Sequence, residues 1–146
     1  MLFVPILLVF IAGAMVAAQA PTNAILARAG GSPILAALIS FAVGTAALFA
    51  IWLGSGNRPG TAPFAGLPWY AWIGGFYGAV FVGVAAYAVP KIGVASLITI
   101  GIAGQMAMAL VLDHFGALGL SREPINLGRV AGALLVLAGV VLVRRS

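Results

Sequence analysis

The sequence predicts an all-α membrane protein with five transmembrane helices, and composition and segment length both lead there. Of the 146 residues, 64% are hydrophobic and only 6% are charged, and the mean hydropathy is +1.22. Soluble domains carry charge on about a quarter of their residues, so this composition excludes a soluble globule and a disordered chain. Five apolar segments approach the roughly 20 residues that a spanning helix needs, and we expect one transmembrane domain over 1–146.

Glycine and proline delimit the first two helices. The first either ends near Ala20 or, with Pro21 as a kink, continues to Ala29, and the expected span is about 2–29. A Gly-Gly-Ser turn follows, and Pro33, which suits a first helical position, opens the second helix over about 33–53. The tripeptide AQA at 18–20 resembles a signal-peptidase site, but no Lys or Arg precedes it, so a cleaved leader is the lesser alternative.

The other three helices follow from aromatic and polar boundaries. The connection at 54–68 has four glycines and three prolines and is expected to hold no regular element. Trp69, Tyr70 and Trp72 then form an aromatic belt typical of a membrane interface, and they open the third helix over about 69–89. A tight turn precedes the fourth helix, over about 94–112, and a polar stretch precedes the fifth, over about 127–143.

The few charges bear on orientation rather than on nucleic acid, because seven isolated cations make no basic patch. Five spans place the termini on opposite sides of the membrane. The near-equal count of cations per side indicates a weak preference for N-terminus outside, insertion in both orientations, or chance in a small sample. Dual topology would give the inverted repeat common in secondary transporters. The N-terminal side has Arg58, Arg122 and Arg129, and the other side has Arg28, Lys91, Arg144 and Arg145.

Residues that carry out chemistry are scarce. The chain has no cysteine, one histidine and two acidic residues. That set excludes disulfides and cysteine-based metal sites, and it supplies neither a two-metal site nor an ordinary catalytic triad. No phosphate-binding loop is present. We therefore expect no enzyme, no metal and no cofactor.

Amides and tyrosines inside the apolar segments are the candidate binding residues. Gln19 and Asn23 lie four residues apart, on one helical face, and Gln105 lies near the middle of the fourth segment. Polar groups in a membrane are costly and mark a site by default. With Tyr77 and Tyr87 they would line a cavity for neutral, zwitterionic or cationic small molecules. The alternative is that the amides join helices by hydrogen bonds and the tyrosines pack.

Asp113 and His114 follow the fourth segment and allow two interpretations. An acid beside a histidine, which titrates near neutrality, is a candidate for proton coupling. Alternatively, the pair caps the end of the helix at the interface, with Arg122 or Arg129 as its partner. The position at a segment edge favours the cap.

Glycines at helical spacing predict helix packing. Gly74 and Gly78 form a GxxxG pair on the third segment with Gly75 beside them, and Gly128 and Gly132 form another on the fifth. Small residues let helices approach closely in lipid, within one chain or between chains.

Several short motifs, in this order and spacing, resemble the five-helix YdcZ-type family of the drug/metabolite transporter (DMT) superfamily over essentially the whole chain. They are QAPTNAIL at 19–26, SFAVG at 40–44, WYAWIGGFYG at 69–78, VPKIGVA at 89–95, GQ at 104–105, DHFG at 113–116 and RVAG at 129–132. The resemblance implies half of a ten-helix inverted-repeat transporter in a bacterial inner membrane. Its partner would be a second copy in an antiparallel homodimer, or a homologous chain. Short multidrug-efflux relatives couple through a membrane-embedded Glu, which this sequence lacks.

The leading hypothesis is a secondary transporter, an exporter of small organic metabolites or cations, that works by alternating access in an antiparallel dimer. The expected partners are therefore the lipid bilayer, a small-molecule substrate and a second chain, with no nucleic acid. The alternative hypothesis is a non-transporting membrane scaffold or accessory subunit. A passive channel is a third reading, and it would require a continuous wet path.

Overall fold

A computed structural model of the chain describes residues 3–56, 64 and 66–145, and the described residues form five α-helices. Leu2, the expected first residue of the first helix, lies outside the described residues, as do Arg58 of the charge count and most of the connection predicted at 54–68. The predicted all-α class with five helices is confirmed. The helices are α1 (Phe3–Gly30), α2 (Pro33–Gly54), α3 (Gly74–Ile92), α4 (Val94–Phe115) and α5 (Leu127–Arg145).

The first four helices are long and apolar enough to cross a membrane. They have 28, 22, 19 and 22 residues. The apolar part of α5, Leu127–Val143, is shorter than these four helices and belongs with apolar helices of 10–17 residues. Length and composition therefore support four candidate spans, and a fifth span stays a prediction.

Several helix boundaries differ from the prediction, most clearly in α3 and α4. The third helix begins at Gly74 rather than 69, because Trp69–Trp72 form a separate 3-10 turn that is closed by hydrogen bonds such as Ala71 N to Pro68 O at 3.0 Å. The same helix continues past Pro90 to Ile92. The fourth helix runs to Phe115 rather than 112, where Gly116 in the left-handed conformation ends it.

The fifth helix also runs beyond its expected end, from 143 to Arg145. The expected start of α2 is correct, because Pro33 occupies a first-turn position and the Ser32 hydroxyl accepts a hydrogen bond from Leu35 N at 3.2 Å. The helix α1 continues through Pro21 to Gly30, which agrees with the longer of its two predicted extents.

The chain divides into two compact units, Met1–Lys91 and Ile92–Ser146. The first unit contains α1, α2 and α3, except for the last residue of α3. The buried residues of α1 are Ala20, Asn23, Ala24 and Ala27, which share one face at helical spacing. Ala27 forms one buried cluster with Ala36 of α2 and Ala86 of α3, and Ala36 has no exposed surface. Three alanines let three helix backbones approach closely, as expected for packing in lipid.

The second unit contains α4 and α5, which pack against each other. Leu97 is the buried residue of α4, and most of the larger apolar side chains on both helices are exposed. After Gly116, at the end of α4, Ala117–Gly119 form a short 3-10 turn, and residues 120–126 then connect to α5 without regular secondary structure. Arg122, Glu123 and Asn126 lie along that stretch.

Candidate functional site

The first candidate contact, Gln19, joins α1 to α2. Its Nε2 donates a hydrogen bond to Ser40 Oγ at 3.3 Å, and the pair is half-buried. One end of the amide is therefore engaged within the first unit. This contact fits the interpretation in which amides join helices, whereas a role for Gln19 in binding substrate stays a prediction.

Asn23, one turn further along α1, is the buried polar residue of the described chain, with 3% of its surface exposed. Its Nδ2 is buried and has no hydrogen-bond partner among the described residues. Leaving a buried donor unsatisfied costs about 1–3 kcal/mol. The structure thus places Asn23 on the packed face of α1 and leaves its amide donor available to an acceptor.

The hydroxyls and the remaining amide have different surroundings. Thr22 Oγ1 donates to Gln19 O at 2.7 Å, and Thr99 Oγ1 donates to Ala95 O at 2.7 Å, so both threonines bond their own helix. Gln105 is exposed on α4, in the second unit. Its predicted role in binding is untested.

The predicted glycine packing has one clear contact within the chain. A Cβ built on Gly78 would lie 3.2 Å from Phe41 Cζ, so α3 approaches this α2 side chain at the glycine. No neighbouring atom within the described residues lies within 4 Å of the Cβ positions of Gly74, Gly75 and Gly132. The nearest atom to Gly128 is Asn126 Oδ1 at 3.4 Å, within its own segment. Packing at these four glycines therefore stays a prediction.

An open groove of about 900 Å³ lies between α2 and α3 in the first unit. Its volume falls within the roughly 300–1,000 Å³ of small-molecule sites. Phe41, Phe76 and Val80 form much of its apolar wall, and Ser32 and Tyr87 are the polar residues that line it. The lining is therefore apolar, with two hydroxyl groups that could orient a bound molecule.

Tyr87 lines the groove, whereas the other predicted tyrosine does not. Tyr77 is 62% exposed and lies outside the lining. Lys91 follows Tyr87 by one helical turn, and its Nζ lies 3.6 Å from the centroid of the Tyr87 ring. This distance is well within the roughly 6 Å over which an ammonium is attracted to an aromatic face.

Asp113 forms the centre of a second polar cluster, at the end of α4. Its Oδ2 pairs with Arg129 Nη1 at 3.2 Å, and Arg129 Nη2 pairs with Glu123 Oε2 at 3.7 Å. Arg129 Nη1 also donates to Glu123 O at 3.1 Å. One arginine at the start of α5 therefore binds both acidic residues of the chain.

His114 connects α4 to the same stretch. Its Nδ1 accepts a hydrogen bond from Ile125 N at 3.3 Å, and its backbone oxygen accepts one from Arg122 Nε at 3.2 Å. Glu123 N donates to Asp113 O at 2.8 Å. These contacts match the cap interpretation, in which the two residues fasten the helix end with Arg122 and Arg129 as partners, whereas proton coupling through them is untested.

A family model described as "Putative inner membrane exporter, YdcZ" matches residues 4–142 of the chain. The chain belongs to the DMT YdcZ family. The predicted membership is confirmed, and with it the inner-membrane localisation and the class of membrane transporter. Membership in this exporter family, a family of transporters rather than enzymes, agrees with the scarcity of chemistry-bearing residues. No curated protein and no solved structure matches the chain.

Two residues that line the groove, Phe41 and Phe76, are not among the predicted contacts. Ser40, a polar residue of the second apolar segment, bonds Gln19. The spacing of Tyr87 and Lys91, four apart on a helix, was a usable signal for their contact. The groove had no comparable signal, because α2 and α3 are apolar on all sides and their sequences do not indicate which faces meet.

Proposed function

We propose that the chain is one half of a secondary transporter that exports small organic metabolites or cations by alternating access. Two chains in antiparallel orientation would form the complete transporter. The observation that carries this proposal is the groove between α2 and α3. It has the volume of a small-molecule site and an apolar lining with two hydroxyl groups, and it is partly open. An open groove in one chain leaves a side that a second chain would close.

The distribution of charge supports the antiparallel arrangement. The cations are nearly balanced between the two predicted sides, which favours insertion in both orientations. Two copies inserted oppositely form an inverted repeat, with substrate sites near the repeat interface. Large exposed apolar surfaces, such as Leu134 and Leu135 on α5, leave room for contacts with lipid or a second chain.

The transport proposal is tested by filling the groove. Val80 lines it, whereas Val43 on α2 is exposed and lies outside the lining. Purified protein in vesicles would be assayed for flux of a panel of amino acids, organic acids and organic cations. We expect Val80→Trp to abolish flux of the transported solute and Val43→Trp to retain it. Equal flux in both variants, or no flux of any solute in the wild type, would contradict the proposal.

Orientation is tested with single cysteines, which are unique because the chain has none. Ala29 at the end of α1 and Leu120 before α5 are exposed and belong to opposite predicted sides. In intact cells, an impermeant thiol reagent should label about half of each variant if both orientations occur. Complete labelling of one variant and none of the other would replace the homodimer with a partner chain of opposite orientation.

A non-transporting scaffold or accessory subunit is the second candidate. The hydrogen bond of Gln19 to Ser40 and the burial of Asn23 favour it, because both amides lie at helix contacts. The scaffold predicts that no solute moves in vesicles and that Val80→Trp leaves cellular function unchanged. Solute flux that Val80→Trp abolishes would exclude it.

A further inference from the structure

The two ends of the groove differ in chemistry, and the helix contacts show which residues share an end. The Cβ position of Gly83 lies 3.9 Å from Ala37 Cβ, and that of Gly78 lies 3.2 Å from Phe41 Cζ. As residue numbers rise on α2 they fall on α3, so the two helices run antiparallel. One end of the groove therefore has Phe41 and Phe76, and the other has Ser32 and Tyr87.

The Ser32 end carries positive charge. Lys91 places its ammonium over the Tyr87 ring, and Ser32 caps the N-terminus of α2, where the helix dipole is positive. No carboxylate opposes this charge within the first unit, because the two acidic residues of the chain lie in the second unit and both pair with Arg129. The Phe41 end is apolar.

This charge disfavours a cation in the groove. One face of the Tyr87 ring is already covered by the Lys91 ammonium at 3.6 Å. A cation bound at this ring would lie close to that ammonium, and the first unit contains no acidic residue to offset the repulsion. An acid head group, in contrast, would meet the hydroxyl groups of Ser32 and Tyr87 at the N-terminus of α2, with the Lys91 ammonium adjacent against the Tyr87 ring.

We propose that the groove binds an amphipathic organic anion, with its apolar body against Phe41, Phe76 and Val80 and its carboxylate toward Lys91 and Tyr87. This assignment rests on the proposed function only where it makes the anion the exported substrate. Within the class of small organic metabolites or cations, it selects acidic metabolites with an apolar body.

Three probes with one apolar body and different head groups test the assignment: 4-phenylbutyrate, 4-phenylbutyramide and 4-phenylbutylamine. Binding to the whole chain in phosphatidylcholine vesicles is measured by equilibrium dialysis against protein-free vesicles. We expect the acid to bind most tightly and the amine least. Lys91→Gln should lower affinity for the acid about tenfold, the loss of one charge-assisted hydrogen bond, and leave the amide unchanged.

The matched control is Arg145→Gln, which removes one positive charge from α5 in the second unit. It should leave binding of all three probes unchanged, and Lys91→Arg should retain most of the affinity for the acid. Tightest binding of the amine by the wild type would overturn the assignment without reference to any variant. Equal loss of acid binding in Lys91→Gln and Arg145→Gln would also overturn it.

Two further experiments are needed. The first distinguishes a soluble anion from a lipid head group, and the second tests binding separately from transport. If vesicles with one third phosphatidylglycerol abolish binding of the acid, the groove holds a lipid head group and the assignment to a soluble metabolite is wrong. Flux of the acid is measured separately in the same vesicles. Binding of the acid without flux would support the anion site and contradict the proposed transport. Flux of the amine alone would support transport and contradict the anion site.

Discussion

Different kinds of contact join the helices within each of the two units. In the first unit, one alanine from each of three helices, Ala27, Ala36 and Ala86, forms a buried cluster in which Ala36 is fully buried. In the second, α4 and α5 are joined at the end of α4 by ion pairs and hydrogen bonds that converge on Arg129. Small-residue packing is available in lipid, where apolar contact brings little hydrophobic gain. Charged contacts are placed at a helix end, where they avoid the cost of burial in hydrocarbon.

The difference shows where each unit can accommodate a ligand. Alanine contacts hold α2 and α3 close at Ala36 and leave the wider part of their interface open as the groove. The charged cluster is compact, because one arginine satisfies both acids and His114 bonds the adjoining backbone. Binding is therefore proposed in the first unit and structural support in the second.

The largest expected effect comes from the alanine contact. Ala36→Leu would force a larger side chain between three helices, and overpacking of this kind costs about 3 kcal/mol at its upper range. Reversible unfolding in dodecyl sulfate micelles measures the change. Ala46→Leu, on the exposed part of α2, is the matched control and should change stability little. Similar stability of the two variants would contradict the close three-helix contact.

The charged cluster should give the next largest effect. Arg129→Ala removes the half-buried pair with Asp113, the hydrogen bond to Glu123 O and the exposed pair with the Glu123 side chain. We expect a loss of about 2 kcal/mol, most of it from the first two contacts, because an exposed ion pair contributes little. The same unfolding assay applies, with Arg145→Ala as the control for loss of one positive charge. If the two arginine variants unfold alike, Arg129 does not hold the helix end.

Substitution of Asn23 tests whether its buried amide stabilises the helix contacts or is an unsatisfied polar group. Because its Nδ2 has no partner among the described residues, Asn23→Ala should stabilise the chain by about 1 kcal/mol while Gln19→Ala, which loses the bond to Ser40, should destabilise it by a similar amount. Unfolding of the two variants, measured side by side, gives the sign of each change. A loss of stability in Asn23→Ala would show that the amide joins helices after all.

The smallest effect distinguishes two neighbouring glycines. A methyl group on Gly78 would press on the Phe41 ring at 3.2 Å, whereas one on Gly75 would meet nothing within 4 Å among the described residues. We expect Gly78→Ala to cost about 0.5 kcal/mol and Gly75→Ala to cost nothing or to stabilise slightly through helix propensity. A cost confined to Gly75→Ala in a cross-linked dimer would place that glycine between chains.

The sequence was sufficient for most of the helices, because long apolar runs bounded by proline, glycine and charge leave few alternatives. The predicted start of α3 at residue 69 was wrong, because an aromatic interface belt gives no signal for where a 3-10 turn ends and an α-helix begins. For Asp113 and His114, their place at a segment edge already indicated a cap, and Arg129 is the observed partner of Asp113.

The site was less accessible to prediction than the fold. Polar residues stand out in an apolar segment, but none of the predicted amides Gln19, Asn23 and Gln105 lines the groove. Of the two predicted tyrosines, Tyr87 lines it and Tyr77 does not. Its walls are made largely of phenylalanine, valine and alanine, which do not stand out in these helices. Which apolar face becomes a groove depends on how helices are rotated about their axes, and uniformly apolar helices carry little information on that rotation.

The short turn between α1 and α2 has a consequence for the order of events during synthesis. The alanine face of α1 contacts a helix that follows it after only a few residues, so these two helices can pair as soon as both are inserted. Roughly 40 residues separate the end of α2 from the end of α3, which takes about 2–8 s at ribosomal speed. During that interval the groove face of α2, including Phe41, is in contact with lipid. Lipid acyl chains therefore contact the α2 side of the proposed ligand site first, and α3 must displace them when it packs against α2.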